Sequence, residues 1–251
     1  MRKVTGVRTA AGRIEPNPEA VVRLCEKDAR LAAVIEAVEA RGGVSREADG
    51  TLFQSVVHHI IGQQISTVAQ ATIWNRMREE LGEVDAESIA ALPVEDIQAF
   101  GTTFRKAGYI KDFADKVVAR KFDLVAVEAM ADDEAIAALA SLSGIGVWTA
   151  EMILLFCLGR ENIFSYDDLA IQRGLRMVYR HRAIPRPLFE KYRRRFAPYG
   201  TTASLYLWAV AGGAVEGLTD PAPKKAGSRK PASKKTAAKK PNATKAPAKR
   251  G

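Results

Sequence analysis

Little in this chain supports a disulfide-held, membrane-spanning or β-rich protein. Only two of its 251 residues are cysteine, Cys25 and Cys157. They lie far apart within apolar helical patterns, which predicts buried free thiols rather than a disulfide. The apolar run Met152–Leu158 is far too short to cross a bilayer, and nothing near the amino terminus has the apolar core of a signal peptide. The expectation is a soluble, cytoplasmic monomer that does not engage a membrane. Histidine is scarce. His58 and His59 are neighbours on a helical stretch and point about 100° apart, and with only His181 besides, no zinc triad is implied. No run alternates convincingly with period two, Met1–Arg8 being the one candidate. Lysine is missing between Lys121 and Lys191.

Acidic residues are missing where basic ones concentrate. Residues 221–251 carry eleven Lys/Arg and no Asp/Glu, which leaves 27 basic against 29 acidic side chains in residues 1–220. The body of the chain is therefore close to neutral, and the net charge of +9 belongs to the tail. With few large apolar groups and strong self-repulsion, residues 221–251 read as a disordered Lys/Ala/Pro-rich tail. Two roles stay open for it: a sequence-independent tether to DNA phosphates, and a solubilising extension without a partner.

The rest reads as helices in series, an all-α fold. Asn17-Pro18-Glu19 and Asp28 are helix starts, and Arg41-Gly42-Gly43 is a stop. Thr51–Ile61 and Ser66–Leu81 pair around Gly62-Gln63-Gln64-Ile65. Further helices are predicted at Asp85–Ala91, Pro93–Phe100, Arg105–Val118, Asp132–Leu142, Val147–Leu158, Asp168–Tyr179, Arg186–Phe196 and Thr201–Gly212.

The most specific stretch is Leu142-Ser143-Gly144-Ile145-Gly146-Val147-Trp148-Thr149-Ala150. It reads as helix, hairpin, helix. Two glycines let the backbone approach a phosphate, the N–H groups at the start of the next helix point outward, and Thr149 adds a hydroxyl. Such a grip ignores base sequence. The competing reading is a tight helical corner with Ile145 as a core plug. Asp168 follows Trp148 by 20 residues, a separation that a helix and a return loop can fold over one cleft.

These residues resemble the helix–hairpin–helix DNA glycosylase superfamily, and within it the bacterial 3-methyladenine DNA glycosylase II branch. The likeness runs from about Phe53 to Gly212 through Ile60-Ile61-Gly62-Gln63-Gln64-Ile65-Ser66, Arg105-Lys106-Ala107-Gly108-Tyr109, the hairpin, Asp167-Asp168 and Leu205-Tyr206-Leu207-Trp208. It implies two helical lobes around a cleft, roughly residues 54–160 against 1–53 with 161–220, and a nucleoid-associated enzyme acting on double-stranded DNA with damaged bases. Some relatives carry an iron–sulfur cluster, for which two cysteines are too few.

The resemblance places Asp168 as the catalytic carboxylate that stabilises the oxocarbenium-like transition state of base–sugar cleavage. An aspartate at a helix start is also an ordinary N-cap, and the two roles are compatible. Asp167 is a rival for the capping role. Bifunctional relatives place a lysine at the end of the hairpin motif; this chain has Trp148, which implies hydrolysis by water without strand cleavage. Trp148, Trp208 and Met152 are the expected base-pocket residues, with a cation–π gain of roughly 0.5–2 kcal/mol for a base alkylated at a ring nitrogen. Core packing remains an equal reading for Trp208, and Met152 stands where a relative has tyrosine. Gln64, with Gln63 beside or behind it, is the candidate wedge for the emptied base stack, or the two glutamines simply satisfy loop backbone. Gly144, Ile145, Gly146 and Thr149 complete the DNA-binding set. Arg105 and Lys106 read equally as phosphate contacts and as a solvated face. The family also implies a structural sodium or potassium ion on the carbonyls of Ala140, Leu142 and Ile145, and no catalytic cofactor. The expected function is hydrolytic excision of 3-methyladenine and 7-methylguanine. Alternatives are a glycosylase for deaminated or etheno-modified bases and a non-catalytic architectural DNA-binding protein.

Overall fold

The computed structural model describes residues 7–222. The alternation at the amino terminus falls largely outside them, and so does the basic tail apart from its first two residues.

Thirteen helices follow one another among the described residues: α1 (Pro18–Lys27), α2 (Ala29–Glu39), α3 (Leu52–Gly62), α4 (Thr67–Leu81), α5 (Ala86–Ala90), α6 (Val94–Ala99), α7 (Phe104–Val118), α8 (Leu124–Ala129), α9 (Asp132–Ala140), α10 (Val147–Phe156), α11 (Leu169–Tyr179), α12 (Arg186–Phe196) and α13 (Gly200–Ala211). Most starts are set by short polar side chains that accept the orphan amides of a first turn. Asn17 accepts from Glu19, Asp28 from Arg30 and Leu31, and Thr51 forms a reciprocal box with Gln54. Ser66 caps α4, and Asp168 caps α11. These are the starts the sequence predicts, to within a residue.

Two features depart from it. A ribbon of β1 (Arg13–Ile14) and β2 (Arg46–Glu47) pairs antiparallel, with Arg13 opposite Glu47 and Ile14 opposite Arg46. Two-residue strands are too short to show alternation. The turn at α8 was also missed; at six residues, with Asp123 as its cap, it has too little length for a periodic signal. Among the described residues no helix is long and apolar enough to cross a membrane. Both cysteines are free, Cys157 buried and Cys25 only half-buried, and burial pushes the Cys157 thiol up to about 11.

Two hydrophobic cores organise the helices. One gathers α3 to α10, centred on residues such as Ile60, Phe113, Leu139 and Ile153; the other gathers α1, α2 and α11 to α13 around Leu31, Leu175, Phe189 and Tyr206. Val7, Ile14, Ile163 and Leu205 join the first core from outside the 54–160 stretch. Trp208 packs against both. Helix α10 is apolar on every side, as a helix in the middle of a core must be, and all of Thr149–Leu155 is buried.

In the second core α11 and α13 meet at Gly174, where an added Cβ would lie 2.5 Å from the Leu207 carbonyl oxygen. That close approach fixes Asp168, at the start of α11, relative to Trp208 on α13. Gly174→Ala is expected to destabilise the protein by about 1–3 kcal/mol through overpacking, measured by denaturant unfolding; unchanged stability would show that the two helices slide freely.

Candidate active site

Asp168 sits at the junction of the two cores. Its Oδ1 accepts the amides of Ala170 (2.9 Å) and Ile171 (2.8 Å) and the indole Nε1 of Trp208 (3.1 Å). Its Oδ2 accepts the indole Nε1 of Trp148 (3.1 Å). Two tryptophans 60 residues apart in sequence thus converge on one carboxylate, which is 7% exposed. The capping and convergence roles coexist on this residue; Asp167 does not cap α11.

The carboxylate borders a cavity of about 610 Å³ lined by Trp148, Met152, Asp168 and Trp208 together with Arg46, His59, Phe156, Leu169 and Arg173. That volume is large enough for a nucleobase. Trp148 is 42% exposed. Trp208 is only half-buried, and Phe156 stacks on one of its faces with centroids 5.7 Å apart and planes at 7°. Met152 is buried behind these rings.

Sequence reasoning missed Phe156, Arg173, Arg46 and His59. Phe156 had a signal: Trp148, Met152 and Phe156 follow at i, i+4 and i+8 on α10, one stripe of a helix face. Arg173 lies one turn beyond Leu169 on α11. Arg46 and His59 arrive from β2 and α3, and no local pattern foretells that. A larger cavity of about 1360 Å³ adjoins, sharing Arg46, His59, Trp148 and Phe156 with the first and bordered further by Asp49, His58, Gln63, Gln64 and Thr149.

The hairpin between α9 and α10 is held from below. Gly144 has φ +84°, and a Cβ there would lie 2.4 Å from the Tyr109 ring, so glycine is required both by conformation and by space. Ile145 is buried, its amide donating to the Leu142 carbonyl (3.1 Å). Its side chain is the core plug, and only its main chain is available to a phosphate. Gly146 is the N-cap of α10 without a side-chain cap. Among the described residues no protein acceptor meets the amides of Gly146, Val147, Trp148 and Thr149. That is the donor array an anion needs. Thr149 is itself buried on the wall of the larger cavity, with little hydroxyl surface to add.

The loop after α3 is fastened to this hairpin. Gln63 Nε2 donates to the Gly144 carbonyl (2.6 Å), so the side chain is a strut. Gln64 is exposed and left-handed, φ 57°. Lys106 corrects both readings made from sequence. It is neither a phosphate contact nor a solvated residue: it is buried, and its Nζ donates to the carbonyls of Ile61 (2.8 Å) and Gln63 (2.6 Å) at the end of α3. Burial, and then the nearby Arg105 charge, hold its ammonium below the usual lysine range.

The chain matches the family model of HhH-GPD superfamily base excision DNA repair proteins over residues 57–198. A DNA-3-methyladenine glycosylase 1 of Schizosaccharomyces pombe is 30% identical over 164 residues, covering 63% of this chain and 72% of that protein. The crystal structure of a Bacillus halodurans DNA-3-methyladenine glycosidase superposes with TM-score 0.69 at 30% identity, over 80% of this chain and 93% of that one. A Schizosaccharomyces pombe 3-methyladenine DNA glycosylase in complex with abasic DNA superposes with TM-score 0.65 at 27% identity, over 77% and 97% of the two chains. This protein belongs to the HhH-GPD superfamily of base excision DNA repair proteins.

Lys106→Met removes the donor of two buried carbonyls and should cost about 1–3 kcal/mol of stability. It should also weaken binding to abasic-site duplex DNA, because the 62–66 loop loses its anchor. Denaturation and fluorescence anisotropy measure the two; full affinity in the variant would show that the loop holds itself.

Proposed function

We propose that this protein is a monofunctional DNA glycosylase that hydrolyses the N-glycosidic bond of alkylated purines, 3-methyladenine and 7-methylguanine, in double-stranded DNA and leaves an abasic site. One observation carries the reading: a carboxylate that opens on a base-sized aromatic cavity and receives hydrogen bonds only from neutral donors. Cleavage of the base–sugar bond develops positive charge on the deoxyribose, and Asp168 faces the space where that charge would form. Oδ2 takes a single N–H, which leaves it a lone pair for a water aimed at the anomeric carbon. The exposed face of Trp148 supports stacking by a flipped base, and a cationic base gains most from it.

Water is the nucleophile in this scheme. Trp148 occupies the hairpin position where a lysine would be needed for a Schiff base, and residues 122–190 contain no lysine. The free amides at the start of α10 would grip a phosphate beside the extruded nucleotide, with Gln64 as the wedge and Gln63 as its support. A sodium or potassium ion would fit the hairpin from behind: the Leu142 carbonyl accepts one hydrogen bond, and among the described backbone bonds those of Ala140 and Ile145 accept none. Its effect would be a stronger positive field at the phosphate. The protein is proposed to act as a cytoplasmic, nucleoid-associated monomer, with residues 221–251 tethering it to DNA.

Release of free bases from randomly alkylated genomic DNA, identified by mass, tests activity and lesion range together. Methylated purines are the expected products; deaminated or etheno-modified bases alone would favour the other lesion class, and no product would leave an architectural DNA-binding protein. Asp168→Asn should keep DNA affinity and lose roughly a hundredfold or more in single-turnover rate; wild-type turnover would reject the assignment.

Removing residues 221–251 should weaken binding at low salt and flatten its salt dependence without abolishing excision. Unchanged low-salt affinity would reject the tether.

A further inference from the structure

His59 is the ionisable wall of the base cavity that the scheme above leaves unused. It lines both cavities together with Trp148 and Phe156, and the smaller one together with Asp168. Its Nε2 is closed off from solvent, makes no well-aligned hydrogen bond and lies 3.2 Å from Asp49 Oδ2, within ion-pair distance. Asp49 is itself fixed by three elements. Its carboxylate accepts Ser55 Oγ from α3 (2.5 Å), its amide donates to the Phe156 carbonyl at the end of α10 (3.0 Å), and its carbonyl accepts Arg8 Nη2 (2.9 Å). Burial works against its charge, but the neighbouring His59, the hydrogen bond from the Ser55 hydroxyl and, after these, His58 outweigh that and hold the carboxyl below the usual range. An anionic Asp49 beside Nε2 favours the tautomer with its proton there, which leaves Nδ1 as the other proton-binding atom of the ring.

The remaining charged groups around the ring are few. His58 stands beside it on α3, with centroids 6.4 Å apart, and is biased toward its neutral form by burial. Arg46 approaches from β2, Asp168 and Arg173 from α11, and Glu47 borders only the larger cavity. Of these, Arg46, Arg173 and Asp168 line the base cavity itself, while Asp49, like Glu47, Arg78 and Glu83, borders only the larger one, so with His59 neutral the base cavity already carries one net positive charge. Protonation of His59 raises that to two.

We propose that His59, oriented by Asp49, makes this cavity discriminate between cationic and neutral damaged bases according to its protonation. The inference rests on the base-excision reading above. Neutral His59 admits a purine carrying the positive charge of a ring-nitrogen alkyl group. Protonated His59 repels that purine and favours a neutral lesion such as hypoxanthine. As the bond from C1′ to the base breaks, its electron pair goes to the base, which takes the Nδ1 proton of His59. Water adds to C1′ and gives up a proton to solvent, and solvent reprotonates His59.

The test is single-turnover excision of 7-methylguanine and of hypoxanthine from duplex DNA between about pH 5.5 and pH 8.5, a range that spans imidazole titration, in the wild type, His59→Gln and Asp49→Asn. In the wild type the 7-methylguanine rate should fall roughly fivefold to tenfold toward the acid end, as one unit charge across a few ångströms of wet cavity requires, while the hypoxanthine rate rises. His59→Gln should remove both slopes, and Asp49→Asn should move the midpoint to lower pH because the proton loses its counter-charge. Slopes that persist in His59→Gln overturn the role of His59 and leave the glycosylase reading intact. A wild type inactive on both substrates overturns that reading and this proposal with it. If hypoxanthine alone is not turned over, the 7-methylguanine profile decides. Should His59→Gln fail to fold, the Asp49→Asn midpoint decides, and an unmoved midpoint overturns the proposal.

Discussion

A buried carboxylate can be stabilised by cations, which cancel its charge, or by neutral N–H groups, which solvate the charge and leave it in place. Both solutions occur in this protein. Asp220, half-buried, receives the Arg176 guanidinium at 2.8 and 2.6 Å and is held at about 2, while the buried Asp28 is paired with Arg195 at 2.7 Å. Those aspartates are fasteners. Asp168 takes two backbone amides and two indoles instead, and Arg173, the cation on the same cavity wall, leans toward Asp220 at 3.9 Å. Its negative charge stays uncancelled where it can meet a developing positive one. The indoles do double service, since a tryptophan edge that grips the carboxylate leaves the ring face for a base.

That arrangement needs elements from both cores held in one register. Trp148 projects from α10, a helix of the first core, Trp208 packs at the boundary, and Asp168 starts the helix that Gly174 presses against α13. The side that carries the hairpin is coupled in the same manner. Tyr109 packs under Gly144, Gln63 bridges to the Gly144 carbonyl, and Lys106 ties the end of α3 to α7. Hairpin and loop are therefore tied to each other, and a phosphate on the α10 amides, as proposed above, would be placed relative to Gln64 as well as to Asp168.

The residues that act locally were legible in the sequence. Caps at Asn17, Asp28, Thr51, Ser66 and Asp168 follow from side-chain chemistry and mark five of the thirteen helix starts to within a residue. The glycine hairpin and the family likeness located Trp148, Trp208 and Asp168. What escaped was non-local or too short. His59 and Arg46 reach the cavity only through tertiary packing, and two-residue strands carry no period. Lys106 was misread because a lysine is ordinarily solvated, and only the two carbonyls at the end of α3 explain its burial. Nothing in the spacing of Trp148, Asp168 and Trp208 showed that both indoles would donate to the same side chain.

Glu151 shows how the stretch leading to Asp168 is held in place. It lies in the buried heart of α10, one residue before Met152 in the pocket stripe, and burial raises its carboxyl above the ordinary range. A carboxyl there would be costly unless satisfied, and Ser165 Oγ donates to its Oε2. Ser165 precedes Asp168 by three residues in the connection from α10 to α11, and on its other flank the Arg193 guanidinium donates to the Phe164 carbonyl (3.0 Å). The connection is thus pinned to α10 and to α12 just before it delivers the carboxylate. With Trp148 a turn earlier on α10, the distance between indole and carboxylate is set at both ends by the same helix. A buried glutamate at this place is therefore explained by positioning: it gives an otherwise apolar helix one directional contact, aimed at the segment whose placement the chemistry depends on.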